Sequence, residues 1–377
     1  MAKYRFEQIA INSKEKKKPA EEDRFTYLGL EHLDSGSLRV TRFGSDVAPI
    51  GEKLVMHKGD VLFGKRRAYQ KKVAIAPFDG IFSAHGMVLR PREEVVDKDF
   101  FPLFISSDYF LDAAIKISVG SLSPTINWRD LKELEFELPD LDTQRGLAKV
   151  LWSINDTMEA YKKLISATDE LVKSQFIEKF GDPKTNSKQL PIRPLGEVCT
   201  VERGGSPRPI ASFVTDAEDG INWIKIGDAD GTRYISSTAE KIIPEGVRKS
   251  RMVQAGDLIL SNSMSFGHPY ILKIDGCIHD GWLVLHFDKT VFDALYLQTY
   301  LGLPAVYAIF ETMAAGGVVN NLNSEIVKKL PVMVPKIEIQ NQFAAFVHQS
   351  DKSKFELEQA LAELTATYKC IIAENLG

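Results

Sequence analysis

At 377 residues, 44% hydrophobic, 26% charged and with a net charge of −4, the chain has the make-up of a soluble globular protein of two or three domains, and its overall charge does not advertise nucleic acid. Three isolated cysteines (Cys199, Cys277, Cys370) with no CxxC spacing argue against a zinc centre or a disulfide framework and fit reduced thiols in a cytosol. The opening MAKYRFEQIA lacks an apolar signal core and no stretch approaches the ~18–20 apolar residues of a membrane span, so the expectation is a cytoplasmic protein without a membrane segment.

Short apolar runs broken by turn residues come first. Phe25–Leu30, Val61–Phe63 and Val73–Ala76 read as strands, and Asp79-Gly80 marks a turn between strands. A helix is predicted near Phe100–Ile117. The loop Gly120-Ser121-Leu122-Ser123-Pro124 then leads to Asn127 and to an extended run, Leu134–Pro139. After Asp142 the apolar residues fall at four-three spacing: Leu147, Leu151, Ile154, Met158, Tyr161, Ile165 and Val172, with only Thr168 breaking the stripe. That spacing predicts a helix from about Asp142 to Phe180, stopped by Gly181-Asp182-Pro183. At ~1.5 Å per residue it is a rod of roughly 55–60 Å. Residues 182–194 have the Pro, Asn and Ser content of a linker.

The chain is then written a second time. Residues 25–176 lie over 221–372 at a constant offset of 196, so that Asp79 meets Asp275, Asn127 meets Asn323, Pro139 meets Pro335 and Gln144 meets Gln340. One short insertion, Asp60 against Asp257, shifts the alignment by one and is undone. Copy two has strand-like runs at Trp223–Ile226, Asp257–Leu260 and Trp282–Phe287, a turn at Asp275-Gly276 and a helix near Ala294–Phe310. The loop Gly316-Gly317-Val318-Val319-Asn320 leads to Asn323 and Leu330–Pro335. A second stripe follows: Phe343, Val347, Ser350, Lys354, Leu357, Leu361, Leu364, Tyr368 and Ile371.

Two-in-seven stripes over five turns or more have the pattern of a coiled-coil seam. Each helix packs either on its own domain or, as the matching stripes suggest, on the other helix. Ser350 and Lys354 weaken the second stripe, leaving the seam loose there or open to a partner. The expected fold is mixed α+β: two similar domains with partly antiparallel sheets, separated by two long antiparallel helices forming a coiled coil. The segments are 1–141 (first domain), 142–181 (first long helix), 182–194 (linker), 195–337 (second domain) and 338–377 (second long helix). Two similar surfaces in one chain suggest a two-part target.

No GxxxxGK[ST] loop, no HExxH and no Cys/His cluster appears. Gly267-His268-Pro269-Tyr270 lacks the side-chain acceptor that an adenine methyltransferase motif needs, and no nuclease-like acid cluster stands on a strand. His85 and His279 fit a structural or hydrogen-bonding role better than a catalytic one. The richest patch is Lys65-Arg66-Arg67-Ala68-Tyr69-Gln70-Lys71-Lys72, directly after Val61–Phe63. Cations neutralise phosphates, and Arg and Gln also bond base edges bidentately; a solvated surface turn is the alternative. The matching loop of copy two, from Ser261 to His268, shares almost no residues with it. Asn262, Ser263, Ser265 and His268 are its candidate readers. Arg203-Gly204-Gly205-Ser206-Pro207-Arg208 is a further candidate, with glycines that let backbone approach a phosphate and Arg203, Ser206 and Arg208 around it; a plain turn is equally consistent.

Two variable domains, each followed by a proline-ended strand and a long helix with Gln at its start, resemble the specificity (S) subunit of a type I restriction-modification system. The matching pieces are Arg203-Gly-Gly-Ser-Pro, Trp223-Ile-Lys-Ile-Gly-Asp, Ala255-Gly-Asp-Leu-Ile-Leu-Ser, Leu330-Pro-Val-Met-Val-Pro-x-x-x-x-Gln, and Leu134–Pro139 with Gln144. Copy one departs at Lys14–Arg24, where copy two has Gly-Gly-Ser-Pro. The resemblance implies a non-catalytic reader of double-stranded DNA in a prokaryotic cytoplasm. Each domain would be a target recognition domain for one half of an asymmetric, interrupted site. It also implies two modification subunits that use S-adenosylmethionine and two restriction subunits that use ATP and Mg, with no cofactor or metal in this chain. The rival classes are a duplicated two-lobed ligand-binding protein or enzyme, and a protein-assembly scaffold.

Overall fold

Strand Val61–Phe63 is apolar and buried at every position because it is an inner strand. In the computed structural model, which describes residues 1–262, 266–314 and 322–376, it pairs with Met87–Pro91 on one side and Val73–Ile75 on the other. Ala10–Ser13 completes this antiparallel sheet. A second sheet runs in the order Lys16–Lys17, Lys53–Met56, Gly80–Phe82, Tyr27–Leu28, with the last pair parallel. The expected strand Phe25–Leu30 shrinks to Tyr27–Leu28. Short helical turns at Glu21–Thr26 and Leu30–His32 flank it, and the Gly29 N–H donates to His32 Nδ1 (2.9 Å), which closes the second turn.

The second copy is built alike, with two five-stranded sheets. One runs Cys199–Arg203, Trp282–Phe287, Leu258–Ser261, Pro269–Leu272, Tyr234–Ile235. The other runs Val214–Thr215, Glu240–Ile242, Ile221–Ile224, Gly276–Ile278, Arg251–Val253. The one-residue insertion is visible in the pairing: Val61 faces Leu89, and Leu258 faces Leu285. The same turn precedes both strands. Asp60 accepts the His57 N–H (2.8 Å) and Asp79 the Lys58 N–H (2.7 Å); Asp257 accepts the Gln254 N–H (2.9 Å) and Asp275 the Ala255 N–H (2.7 Å). The structure also carries the repeat back before residue 25. Ala2–Arg5 pairs with Glu135–Leu138 as Ile192–Pro194, the end of the expected linker, pairs with Pro331–Met333. The Phe6 N–H meets Leu134 O at 2.8 Å, and the Leu195 N–H meets Leu330 O at 2.8 Å.

Each expected mid-domain helix is in fact two. Phe101–Ser106 and Asp108–Lys116 break at Ser107, whose backbone is extended and whose Oγ accepts the Phe110 N–H to start the second helix. Ala294–Leu301 and Pro304–Ala314 break at Gly302 and Leu303, and the proline opens the new helix, where its missing N–H costs nothing.

Leu141–Phe180 and Ile337–Leu376 are each 40 residues long. Gly181, in the left-handed region, ends the first one and donates to Ile177 O (2.8 Å). Two compact units emerge: Met1–Lys162 with Glu358–Gly377, and Lys163–Leu357. Each unit takes one half of each long helix. In the first, Ala148 and Leu151 share a core with Ile372 and Leu376, and Leu147, Trp152, Tyr368 and Ile371 pack against it. In the second, Val172, Phe176 and Phe180 share a core with Phe343, Ala344 and Val347. Within each unit the two helices therefore pair antiparallel and also pack on their domain. Ile154, Met158, Tyr161, Ile165, Leu357, Leu361 and Leu364 are half-buried.

The weak stretch of the second stripe is filled. Ser350 is buried, and Lys354 Nζ reaches across to Asp169 Oδ2 at 2.7 Å. Leu151 is fully buried, so Leu151→Ala is expected to destabilise by about 2–5 kcal/mol, whereas Leu361→Ala, at a half-buried position, costs less. Denaturant unfolding of the two variants checks the order.

The glutamine at the start of each helix binds it to its domain. Gln144, fully buried, accepts the Asp97 N–H (2.8 Å) and donates to Val95 O (3.1 Å) and Pro139 O (2.8 Å). Gln340, equally buried, accepts the Asp293 N–H (3.0 Å) and donates to Val291 O (2.9 Å) and Pro335 O (2.8 Å).

Candidate nucleic-acid interface

Strand Val61–Phe63 delivers the cationic loop to the surface, and Gly64 turns the chain with its N–H on Lys72 O (2.9 Å). Arg67 and Lys71 both take left-handed backbone, bracketing a helical turn at Ala68–Gln70. The turn pushes Arg66, Arg67 and Tyr69 into solvent and sinks Ala68. A second loop clamps this one from the side. The Ile126 N–H donates to Lys65 O (2.9 Å), the Ala68 N–H to Pro124 O (3.2 Å), and Arg66 pairs with Thr125 in a β-bridge. Arg66 Nε donates to Ser123 Oγ (3.1 Å), its Nη1 lies 3.4 Å from His85 Nε2, and its N–H points at His85 O (3.3 Å).

The cations of this loop are not equivalent. Lys71 Nζ lies 2.7 Å from both Asp108 and Asp112. Burial pulls its ammonium pKa down, but the hydrogen bonds to the two carboxylates outweigh that and raise it, and the charge is matched within the fold. Lys72 Nζ donates to Leu30 O (2.7 Å). Lys65 is half-buried, and burial, then Lys16, hold its pKa below the usual lysine range. Gln70 is half-buried, and Ser35 Oγ donates to its carbonyl. Arg66, Arg67 and Tyr69 face solvent. Sequence reasoning missed Ser123 and gave His85 only a structural or hydrogen-bonding part. The Gly120–Pro124 loop was visible as a loop, but nothing local ties it to residues 65–72.

In copy two the geometry separates the candidates. Asn262 is buried: its N–H donates to Gly281 O (2.9 Å), its Nδ2 to Asp280 O (3.1 Å), and its carbonyl accepts from Leu322 (3.0 Å). Those main-chain bonds repeat the Arg66–His85 and Lys65–Ile126 junctions of copy one. Ser263 and Ser265 lie outside the described residues, as does the loop Gly316–Asn320. His268 is exposed, its ring 5.9 Å from Tyr307, which stacks on Phe266.

Arg203, Ser206 and Arg208 gather on Asp280. Arg203 Nε donates to its carbonyl (2.9 Å), Ser206 Oγ to its carboxylate (2.5 Å), and Arg208 lies 3.9 Å from it. The Ser206 hydrogen bond holds the Asp280 carboxyl below the usual carboxylate range against the opposing effect of burial. The two glycines have a packing reason. A Cβ on Gly204 would fall 2.1 Å from His279 O, and one on Gly205 2.8 Å from Lys249 O. They bring backbone against backbone within the fold, as in the plain turn that the sequence left equally open.

Among the described residues no group of three His, Cys, Asp or Glu side chains forms a metal site, and no helix is long and apolar enough to cross a membrane. The family model for the type I restriction modification DNA specificity domain matches residues 12–167 and 188–365. The EcoDI type I restriction enzyme specificity subunit of Escherichia coli is 26% identical over 160 residues, 41% of this chain, and the match spans 35% of that subunit's length. A solved chain from work on complex assembly and conformational transition of the type I R-M system superposes with a TM-score of 0.58 at 20% identity, covering 99% of this chain and 97% of that one. The S subunit of a type I restriction-modification system from M. genitalium gives 0.58 at 14% identity, covering 100% and 96%. At those identities the two structures speak for the fold. With the same architecture in both copies and the specificity model matched across both, the chain belongs to the type I restriction-modification DNA specificity family.

Proposed function

We propose that the two recognition domains, residues 1–141 and 195–337, each read one half of an interrupted, asymmetric DNA site, and that this chain leaves the chemistry to partners. The observation that carries the reading is the junction at Arg66 and Arg67. Two guanidinium groups stand in solvent on a loop fixed by a second loop, on a domain type whose family is defined by DNA specificity. Preorganised donors of this kind suit phosphates and guanine edges. In the first domain Lys65, Arg66, Arg67, Tyr69 and Gln70 face the duplex, with Lys71 and Lys72 in supporting places. In the second, His268, Arg203, Ser206 and Arg208 do so, and Asn262 braces the loop; Ser263 and Ser265 stay candidate readers from the sequence alone.

The partners are two methyltransferase subunits, which supply S-adenosylmethionine chemistry, and two restriction subunits, which use ATP and Mg. Assembly takes place in a prokaryotic cytoplasm. The chain co-expressed with its modification subunits in a methylation-free host tests this. Genome-wide mapping of methylated adenines is expected to return one bipartite motif. Methylation without sequence preference, or none, overturns the proposal.

The helices Leu141–Phe180 and Ile337–Leu376 set the spacer between the half-sites in this reading. Deleting one heptad from each is expected to shorten the accepted spacer and leave both half-sites unchanged, which the same mapping reads out. An unchanged spacer refutes the ruler.

A further inference from the structure

The hairpin Val119–Thr125 is closed by two main-chain bonds: the Val119 N–H donates to Thr125 O (3.0 Å) and the Thr125 N–H to Val119 O (2.9 Å). Gly120, at φ +114°, makes the turn possible, Pro124 stiffens it, and Thr125 Oγ1 donates to Ser123 O (3.1 Å). At its tip stands Leu122, 94% exposed, between Ser121 and the Ser123 that holds Arg66. Val119 on the same hairpin and Tyr69 on the facing loop are 65% and 57% exposed. A lone exposed leucine is ordinary. This one stands at the tip of a hairpin closed by its own main-chain bonds, belongs to none of the hydrophobic cores and is next in sequence to Ser123, which holds the solvent-facing Arg66.

We propose that Leu122 is a base-reading residue of the first domain, contacting the 5-methyl group of a thymine in the major groove. The proposal rests on the reading that this face meets DNA. Thymine is the base whose major-groove edge offers an apolar group, and an apolar side chain beside Arg66 and Arg67 meets that edge while the arginines take phosphate or guanine. The hairpin is fixed before binding, so little order is lost when it docks.

The test uses the chain assembled with its modification subunits and duplexes carrying its mapped site, with each thymine of the first half-site replaced in turn by deoxyuridine. Affinity is read by fluorescence anisotropy. The expected result is one position at which loss of the methyl weakens binding about fourfold, the factor for one methyl leaving an apolar contact. That penalty is absent in Leu122→Ala, which lies outside every core and folds normally. The same uracil penalty in both proteins, or no sensitive thymine in the half-site, overturns the role of Leu122. Arg66→Ala and Arg67→Ala run in parallel. If they bind like the unaltered protein, the face itself does not meet DNA. If they weaken binding while the uracil profile of Leu122→Ala is unchanged, only the leucine assignment falls.

Discussion

Alanine at Arg66 or at Arg67 is expected to weaken binding of the target duplex by about 1–3 kcal/mol each, roughly fivefold to 150-fold, and a variant that has lost a base-reading side chain is expected to accept more than one base at that position. Both side chains are exposed, and Arg66 is already aimed by Ser123 and His85. The loss therefore falls on binding and leaves folding intact. Lys71→Ala is the internal control: its charge is matched by Asp108 and Asp112, so its removal changes the fold near that ion pair more than the DNA contact. Lys65→Ala, if its ammonium meets a phosphate, weakens all sequences evenly and lowers the salt slope by about one. Anisotropy titrations with the assembled complex at several salt concentrations, with methylation mapping of each variant, separate these outcomes. Unchanged affinity and pattern for both arginine variants would mean that another surface reads the first half-site.

The second large effect is structural. Gln144→Leu keeps the bulk of the side chain and strips three half-buried main-chain groups of their partners, at Asp97, Val95 and Pro139. Each orphaned group costs about 1–3 kcal/mol when shut off from water; with three such groups at half-buried places the lower end of the sum, about 3–5 kcal/mol, is expected. Gln340→Leu does the same in the second unit through Asp293, Val291 and Pro335. Glutamate is no substitute at either place. It still accepts the one N–H, but it turns a buried charge on two carbonyls that need a donor. Urea unfolding of each variant, followed by a probe in the affected unit, measures the effect. A loss below about 1 kcal/mol would show that water takes over the bonds.

The second copy was legible in the sequence because the residues that fix it act on main chain. Asp79 and Asp275 accept backbone N–H groups, and Gln144 and Gln340 close on backbone atoms, so these positions keep their identity while neighbours drift. Before residue 25 the repeat was invisible for the opposite reason. Ala2–Arg5 and Ile192–Pro194 do the same work by strand pairing, which asks for no particular side chain. The break at Ser107 is marked only by Ser106-Ser107-Asp108 between two apolar runs, and one extended residue there leaves no change of periodicity.

The candidate site was half legible. Its cations were plain, but their partners were not: Ser123 is 57 residues from Arg66, and Asp108 is 37 from Lys71. Only the folded chain shows that one lysine of the patch is neutralised and that a second loop belongs to it. Gly204 and Gly205 carry the same lesson, since their close contacts are with main chain far along the sequence.

The Lys354–Asp169 pair has a consequence for how the two long rods find each other. Its ammonium is mostly shielded, 19% exposed, while the carboxylate is 42% exposed, so the bond adds little net stability once water is counted. Its value lies in the alternatives it penalises. Sliding one rod past the other by a heptad would set that ammonium against the level of Lys162 or Phe176, away from its counter-charge. A charged residue in a largely apolar seam thus acts as a key that fits one alignment, and leucine there would trade that selectivity for grip.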